Sequence, residues 1–156
     1  MKIISHSPAQ TLKIGACIGR HAKPGDIILL SGELGSGKTL LTKGIAKGLG
    51  LHADEVISPT FILLREYWQA KMPLYHFDLY RVSHECEVIN IGYEEYFYGE
   101  GISVVEWPDR LKKLLPKDYL SIELSLQGLS KRKFVFKPCG KRAQEITWRI
   151  HETFSN

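Results

Sequence analysis

The segment that most constrains the fold of this chain is Gly32-Glu33-Leu34-Gly35-Ser36-Gly37-Lys38-Thr39. It matches the Walker A pattern Gly-x-x-x-x-Gly-Lys-[Ser/Thr], in which backbone N–H groups point inward and form a nest for phosphate. The lysine of this pattern reaches the β- and γ-phosphates, and the hydroxyl after it ligates Mg²⁺. The pattern therefore predicts a phosphate-binding loop (P-loop), with a nucleotide site formed by Glu33, Leu34, Gly35, Ser36, Gly37, Lys38, Thr39 and Leu40.

The residues on either side of this loop predict the elements that hold it. Residues 25–30 read as a turn and then an apolar strand without a polar face, as in a parallel sheet that is covered on both sides. Residues 40–49 carry apolar side chains at helical spacing, and Gly50 is placed to end that helix. A strand, a P-loop and a helix in this order predict an α/β fold of the P-loop NTPase-like, three-layer kind.

The remaining elements predict a mixed sheet, parallel around the P-loop and antiparallel at its edges, with helices on both faces. Ser7 and Pro8 are typical of a helix start. A short turn at 70–73 predicts an antiparallel hairpin. The further predictions are strands over 61–68, 74–78 and 101–105, helices over 83–89 (capped by Ser83), 93–98 and 110–115, and a strand meander over 119–126, 133–137 and 146–150.

A length of 156 residues predicts one domain, residues 1–156, with a basic, strand-rich C-terminal segment over 128–156. The chain lacks the ~18 consecutive apolar residues of a membrane span, and its first six residues lack the apolar core of a signal peptide. Its three cysteines form no Cys-x-x-Cys, which favours reduced thiols over a disulfide framework or a zinc site. We therefore expect a cytoplasmic protein.

Positive charge is concentrated near the C-terminus. From Gly128 onward the chain holds seven Lys and Arg residues and two Glu residues, while the whole chain carries a net charge of +4. With Phe134, Phe136 and Trp148 among them, these charges suit contact with RNA or with an acidic partner. A solvated, charged sheet edge that prevents aggregation explains them more simply, although both interpretations stay open.

Two acidic residues follow predicted buried strands, where a P-loop protein places the carboxylate that completes its Mg²⁺ shell. Glu106 follows residues 102–105, and Asp78 follows residues 74–77. Both are candidate catalytic residues, and Glu106, with Thr39, is a candidate metal residue. Because a glutamate reaches further than the usual aspartate, a water can stand between Glu106 and the metal. Which of the two carboxylates positions the attacking water is left open by the sequence.

Ser58 and Thr60 lie about twenty residues beyond the P-loop, where a hydroxyl can sense a γ-phosphate as switch segments do. Ordinary turn chemistry explains a Ser-Pro pair as well. Trp107 stands next to Glu106 and before Pro108. Such a tryptophan is either a lid over the core or a contact surface for a base or a partner.

Four segments follow the P-loop in a distinctive order: 56–61 (Val-Ile-Ser-Pro-Thr-Phe), 75–81 (Tyr-His-Phe-Asp-Leu-Tyr-Arg), 92–97 (Gly-Tyr-Glu-Glu-Tyr-Phe) and 105–108 (Val-Glu-Trp-Pro). With the P-loop, they resemble the TsaE family, the small bacterial ATPases of tRNA threonylcarbamoyladenosine (t6A) biosynthesis. The similarity runs from the first helix to about Leu126. Glu33 and Ser36 stand where Asp and Ala are frequent in the family, and neither change removes a glycine.

The resemblance implies a helper ATPase that uses ATP and Mg²⁺. TsaE proteins bind the TsaB–TsaD complex, which transfers the threonylcarbamoyl group to tRNA, and their ATP hydrolysis supports repeated turnover. Contact with tRNA is then indirect, through the complex. Carried over by position, Lys38 and Thr39 serve phosphate and Mg²⁺, Thr60 belongs to a switch-like segment, Asp78 is a catalytic carboxylate, Glu106 is a metal-side acid and Trp107 is an essential neighbour.

The residues themselves bear on the choice of nucleotide and on the rate. No Asn-Lys-x-Asp segment for guanine is present, which favours ATP over GTP. Arg65, Arg81 and Arg110 are the candidates for an arginine finger, but none is obviously placed as one. Because such a finger is worth ~10³–10⁵ in rate, we expect slow hydrolysis by the chain alone and activation by a partner. The alternatives are a nucleoside or nucleotide kinase, for which no lid-like insertion is found, and a nucleotide-sensing switch with negligible hydrolysis.

Overall fold

The computed structural model describes residues 1–154 of the chain. Within that range seven strands form, numbered here in chain order: β1 (Lys2–Ser5), β2 (Ile27–Ser31), β3 (Leu64–Tyr67), β4 (Leu74–Asp78), β5 (Ile102–Glu106), β6 (Tyr119–Leu126) and β7 (Arg132–Cys139). The α-helices of the same range are α1 (Pro8–His21), α2 (Lys38–Gly48), α3 (Glu85–Asn90), α4 (Tyr93–Phe97) and α5 (Lys141–Phe154). Short 3-10 segments cover Ala53–Glu55 and Pro108–Leu114.

The strands form one mixed sheet in the order β1-β7-β6-β2-β5-β4-β3. Strand β2 lies parallel to both of its neighbours, β5 and β6, and β4 lies parallel to β5. Strand β3 pairs antiparallel with β4, and β7 pairs antiparallel with β6 and β1. The predicted α/β fold, parallel at its centre and antiparallel at its edges, is confirmed.

Helices cover both faces of the sheet, and this explains why residues 27–30 of β2 are all apolar. Ile28 and Leu30 pack into the core that includes residues of α1, α2 and α5. Ile27 and Leu29 pack into the second core, which includes Val88 of α3 and Phe97 of α4. Since successive side chains of a strand point to opposite faces, a strand with a core on each side needs apolar residues at every position.

Helix α2 is held close to α1 by glycines on both helices. A Cβ atom added to Gly15 of α1 would lie 2.8 Å from the Cα atom of Gly44, and one added to Gly44 would lie 2.6 Å from the carbonyl oxygen of Leu12. No side chain fits at either position without moving the backbone. The close approach fixes the helix whose first turn begins at the P-loop lysine, Lys38.

Two local predictions were wrong, and one strand was missed. Residues 146–150 lie in helix α5, because Ala143, Ile146 and Ile150 share one buried face at helical spacing. The described part of the C-terminal segment is therefore strand over Arg132–Cys139 and helix over Lys141–Phe154. Strand β1 was not predicted. Ser83 is not the cap of α3; His84 is, and the Glu87 side chain accepts the N–H groups of both Ser83 and His84 over 2.9 Å.

The other boundaries differ by a few residues. Residues 61–63 form a turn, so that β3 begins at Leu64, and the helical segment after β5 begins at Pro108. Helix α1 starts as predicted: the Ser7 side chain accepts the N–H of Gln10 over 3.2 Å. No helix of residues 1–154 combines the length and apolar composition that crossing a membrane requires.

Candidate functional site

The loop between β2 and α2 takes the nest-like conformation that its glycines allow. Gly32, Gly35 and Gly37 have φ angles of 148°, 78° and 105°. At Gly32 an added Cβ would also lie 2.4 Å from the carbonyl oxygen of Leu124 in β6. Glycine is thus required there by conformation and by space together. The loop leads directly into the N-terminus of α2, where free N–H groups and the helix dipole favour an anion.

Lys38 lies almost buried over this loop. Its Nζ atom donates hydrogen bonds to the carbonyl oxygens of Gly32 over 2.7 Å and Glu33 over 3.0 Å. The same atom lies 4.1 Å from the centre of the Trp107 ring. Burial lowers the pKa of the Lys38 ammonium, and the carboxylates of Glu106 and Asp78 partly oppose that shift. The loop and the tryptophan thus hold the ammonium in place at the mouth of the nest.

Glu106 lies at the carboxyl end of β5 and connects two other elements. Its Oε1 atom accepts a hydrogen bond from Thr39 Oγ1 over 2.9 Å and another from His76 Nε2 over 2.9 Å. His76 is fully buried, and Glu106 is 2% exposed. Because both hydrogen bonds go to Oε1, neither of these side chains engages Oε2. Hydroxyl and carboxylate oxygens are the hard ligands that Mg²⁺ prefers, so the pair Thr39 and Glu106 fits such an ion.

Asp78 lies beside Glu106 because β4 and β5 are parallel and pair these two residues in register. Its Oδ2 atom accepts hydrogen bonds from Ser58 Oγ over 2.8 Å and from Thr60 Oγ1 over 2.6 Å. Its Oδ1 atom accepts the backbone N–H of Tyr80 over 3.1 Å. The Ser-Pro-Thr segment is therefore tied to a carboxylate of the site, which favours the switch-like interpretation over turn chemistry alone.

Trp107 forms a wall of the site. Its backbone lies in the left-handed region, with φ 60°, and its N–H donates to the carbonyl oxygen of Leu30 in β2 over 3.2 Å. Its ring packs against Tyr80, with 5.0 Å between ring centres, and against the Lys38 ammonium. A left-handed conformation is costly for a residue with a large side chain. The indole of this residue contacts the P-loop lysine, Lys38.

A cavity of about 380 Å³ joins these groups. Most of the predicted site residues line it, together with Tyr80; the lining set is Leu34, Gly35, Gly37, Lys38, Thr39, Leu40, Ser58, Thr60, Asp78, Tyr80, Glu106 and Trp107. Glu33 and Ser36 are not part of the lining: the Glu33 carbonyl oxygen accepts a hydrogen bond from Lys38, and Ser36 is fully buried.

Sequence reasoning missed His76 and Tyr80. Each stands two residues from Asp78, and side chains two apart on a strand point to the same face, which is the signal that was available for His76. Tyr80 lies beyond the end of β4, where strand periodicity no longer applies. Its place in the site is seen only in the structure, from the hydrogen bond that its backbone N–H donates to Asp78 and from the contact of its ring with Trp107.

The three candidate finger arginines do not line the cavity. The Arg81 guanidinium lies 4.3 Å from the centre of the exposed Phe61 ring, and Arg110 pairs with Asp109 over 3.3 Å. Arg65 lies on β3, opposite His76 in the register. Within residues 1–154, the lining of this cavity contains one cationic side chain, that of Lys38.

Comparisons with known proteins agree on one family. The family model described as threonylcarbamoyl adenosine biosynthesis protein TsaE matches residues 5–134. The TsaE protein of Bacillus subtilis is 39% identical over 152 residues, which are 96% of this chain and 94% of that protein. The TsaE protein of Synechocystis sp. is 51% identical over 94 residues, 58% of this chain and 59% of that protein.

A solved structure supports the same assignment. The crystal structure of Bacillus subtilis YdiB has a TM-score of 0.83 to this chain at 33% sequence identity, covering 100% of this chain and 96% of the other. The resemblance seen in the four ordered segments thus extends over the whole fold. This chain belongs to the TsaE family.

Proposed function

We propose that this chain binds ATP with Mg²⁺ in the cavity beside the P-loop and hydrolyses it in support of t6A biosynthesis on tRNA. The observation that carries the proposal is the hydrogen bond between Thr39 and Glu106. It joins the P-loop hydroxyl to the acid at the end of the neighbouring parallel strand, the two positions from which a P-loop protein holds its metal.

The phosphate end of the nucleotide would lie in the nest formed by residues 32–37, with Lys38 and the N-terminus of α2 supplying positive charge. Lys38 would exchange its hydrogen bonds to the Gly32 and Glu33 carbonyl oxygens for phosphate oxygens. Thr39 and Glu106 would hold Mg²⁺. Bound there, the ion would neutralise charge that develops on the phosphoryl group.

Asp78 is the second carboxylate of the reaction in this proposal. It shares the far end of the cavity with the hydroxyls of Ser58 and Thr60, which it holds by hydrogen bonds. A γ-phosphate arriving there would compete for those hydroxyls. The segment 58–60 would then respond to the presence of the γ-phosphate, as switch segments of other P-loop proteins do.

A partner protein is expected to complete this site, and we propose TsaB–TsaD in that role. The cavity lining contains a single cation among the described residues, so charge stabilisation is incomplete without outside help. Apolar side chains also stand in solvent at its rim: Leu34 is 75% exposed, and Phe61, next to Thr60, is 80% exposed. Exposed apolar groups beside a functional site are typical of a surface that another protein covers.

The proposal is tested by reconstitution with purified TsaB–TsaD. Phosphate release and tRNA modification are followed for the wild-type chain and for Lys38→Ala. We expect phosphate release to accelerate when TsaB–TsaD is added, and modification to exceed one equivalent per complex only with the wild-type chain and ATP. Repeated turnover in the absence of the chain would contradict the proposal. Phosphorylation of a nucleoside without TsaB–TsaD would instead identify a kinase.

A further inference from the structure

One arginine of the basic C-terminal segment lies against the P-loop. Arg132 is the first residue of β7, two strands away from β2 in the sheet. A Cβ atom added to Gly37 would lie 3.1 Å from Arg132 Nε and 3.2 Å from its Cδ atom. The arginine side chain therefore occupies the space next to Gly37 that a larger residue in the loop would need.

The Arg132 guanidinium has hydrogen-bond donors without acceptors. Its Nε and Nη1 atoms are shielded from solvent and have no hydrogen-bond partner within residues 1–154. A shielded donor without an acceptor destabilises the protein, and more so when it is charged. By contrast, Arg142 of α5 donates to the buried Asp26 carboxylate over 2.9 and 2.8 Å. Arg132 thus has the free donors and the positive charge that an anion would satisfy.

We infer that Arg132 binds the nucleotide, by donating hydrogen bonds to a phosphate oxygen on the Gly37 side of the P-loop. The inference rests on the proposed function, because it assumes that the loop holds a nucleotide. The planar fork of an arginine matches the geometry of phosphate oxygens, and a charge-assisted bond of this kind is stronger than a neutral one. Arg132 is thereby assigned to the nucleotide site. Both interpretations given above stay open for the other basic residues of the segment 128–156.

The position of Arg132 predicts what it contributes. In the sheet order β7-β6-β2-β5-β4, the arginine lies on one side of the P-loop strand, and the carboxylates Glu106 and Asp78 lie on the other. It is therefore remote from the end where we place the γ-phosphate and the attacking water. Arg132 should strengthen the binding of ATP and ADP alike and should leave the rate of the bound complex nearly unchanged.

Calorimetric titration with Mg²⁺–ADP and with a non-hydrolysable Mg²⁺–ATP analogue tests the inference. The proteins are the wild type, Arg132→Gln, Arg132→Lys, and the matched control Lys131→Gln, an exposed neighbour with the same change in charge. We expect Arg132→Gln to weaken both ligands by about tenfold or more, the size of one charge-assisted hydrogen bond. Arg132→Lys should retain part of the affinity, and Lys131→Gln should stay within about twofold of wild type.

Two further measurements separate nucleotide binding from a structural role. In steady-state hydrolysis, Arg132→Gln should raise KM with little change in kcat. Without nucleotide, Arg132→Gln should unfold at a temperature no lower than that of the wild type, because the substitution removes shielded charge that lacks a partner. A purely structural arginine would lower the unfolding temperature without nucleotide.

The other outcomes overturn the inference. Unchanged affinity in Arg132→Gln, an equal loss in Lys131→Gln, or a loss confined to the ATP analogue would each do so. If Lys38→Ala abolishes binding while Arg132→Gln retains it, the inference fails and the proposed function stands. If the wild type binds neither ligand, the proposed function fails and takes the inference with it.

Discussion

Thr39 Oγ1 donates a hydrogen bond to Oε1 of Glu106 over 2.9 Å, joining the first turn of α2 to the carboxyl end of β5. The Nε2 atom of His76 in β4 hydrogen-bonds to the same carboxylate oxygen over 2.9 Å. Helix α2 and strands β4 and β5 thus position one acid. A carboxylate held in this way needs little rearrangement when it acts, which is the condition for effective electrostatic catalysis.

Glu106→Gln should retain nucleotide binding and lower ATP hydrolysis by ~10²-fold or more, the scale of losing one preorganised charged group. The amide oxygen can still accept the Thr39 hydroxyl, so the fold should be preserved. Phosphate release and calorimetric ADP binding measure the two effects. Glu100→Gln, an exposed acid just before β5, is the control and should hydrolyse ATP at the wild-type rate. Near-normal turnover in Glu106→Gln would show that Glu106 has only a structural role.

Lys38→Ala should abolish measurable nucleotide binding, because it removes the one cation that lines the cavity among the described residues. The exposed Lys47, near the end of the same helix, provides the control Lys47→Ala, whose affinity should match that of the wild type. Calorimetry with ADP measures both. Undiminished affinity in Lys38→Ala would remove the P-loop from the proposed site.

Asp78→Ala should retain ATP binding and lower hydrolysis by ~10²-fold or more. It should also free the segment 58–60, because Ser58 and Thr60 both donate to the lost carboxylate. Hydrogen exchange of the backbone amides from residue 60 to 63 measures that release. The exposed Asp109 provides the control Asp109→Ala, in which neither exchange nor hydrolysis should change. Unaltered exchange in Asp78→Ala would show that other contacts hold the segment.

Nucleotide binding should change the fluorescence of Trp107, because its ring contacts the Lys38 ammonium, which exchanges its carbonyl partners for phosphate oxygens while it keeps this contact. Trp107→Phe should remove the change in intrinsic fluorescence on adding ADP, whereas Trp68→Phe and Trp148→Phe should keep it. Trp107→Phe retains an aromatic face for Lys38 and should bind ADP more tightly than Trp107→Leu does, by up to about tenfold. Equal affinities in the Phe and Leu variants would show that the ring acts only by filling space.

Arg142→Ala should destabilise the fold by about 3–5 kcal/mol, because it leaves the buried Asp26 carboxylate without its cationic partner. The same substitution also removes the hydrogen bond to the His21 carbonyl oxygen. Urea unfolding measures the change. Arg149→Ala, which breaks an exposed pair with Glu152 on the same helix, should cost less than about 1 kcal/mol. Similar losses in both variants would mean that α5 itself, and not the buried pair, is being weakened.

The wrong strand at residues 146–150 shows the limit of local patterns. Ile146, Trp148 and Ile150 alternate as in a strand, and Ala143, Ile146 and Ile150 recur as on a helix, so the pattern alone supports both. Contacts distant in sequence decide the matter: the Asp118 carboxylate accepts the N–H groups of Arg142 and Ala143 at the helix start, and Arg142 reaches Asp26. Asp118 and Asp26 lie too far from α5 in the sequence for a local pattern to include them.

The sequence by itself determined the P-loop, the strand before it, the helix after it, the family, and the candidacy of Asp78 and Glu106. These depend on residue types within short segments, where conformational preference and phosphate chemistry act locally. Tertiary structure alone decided that His76 and Thr39 share Glu106, that Ser58 and Thr60 are tied to Asp78, and that Arg132 lies beside Gly37. Those contacts arise from the order and register of strands far apart in the chain, which no local pattern encodes.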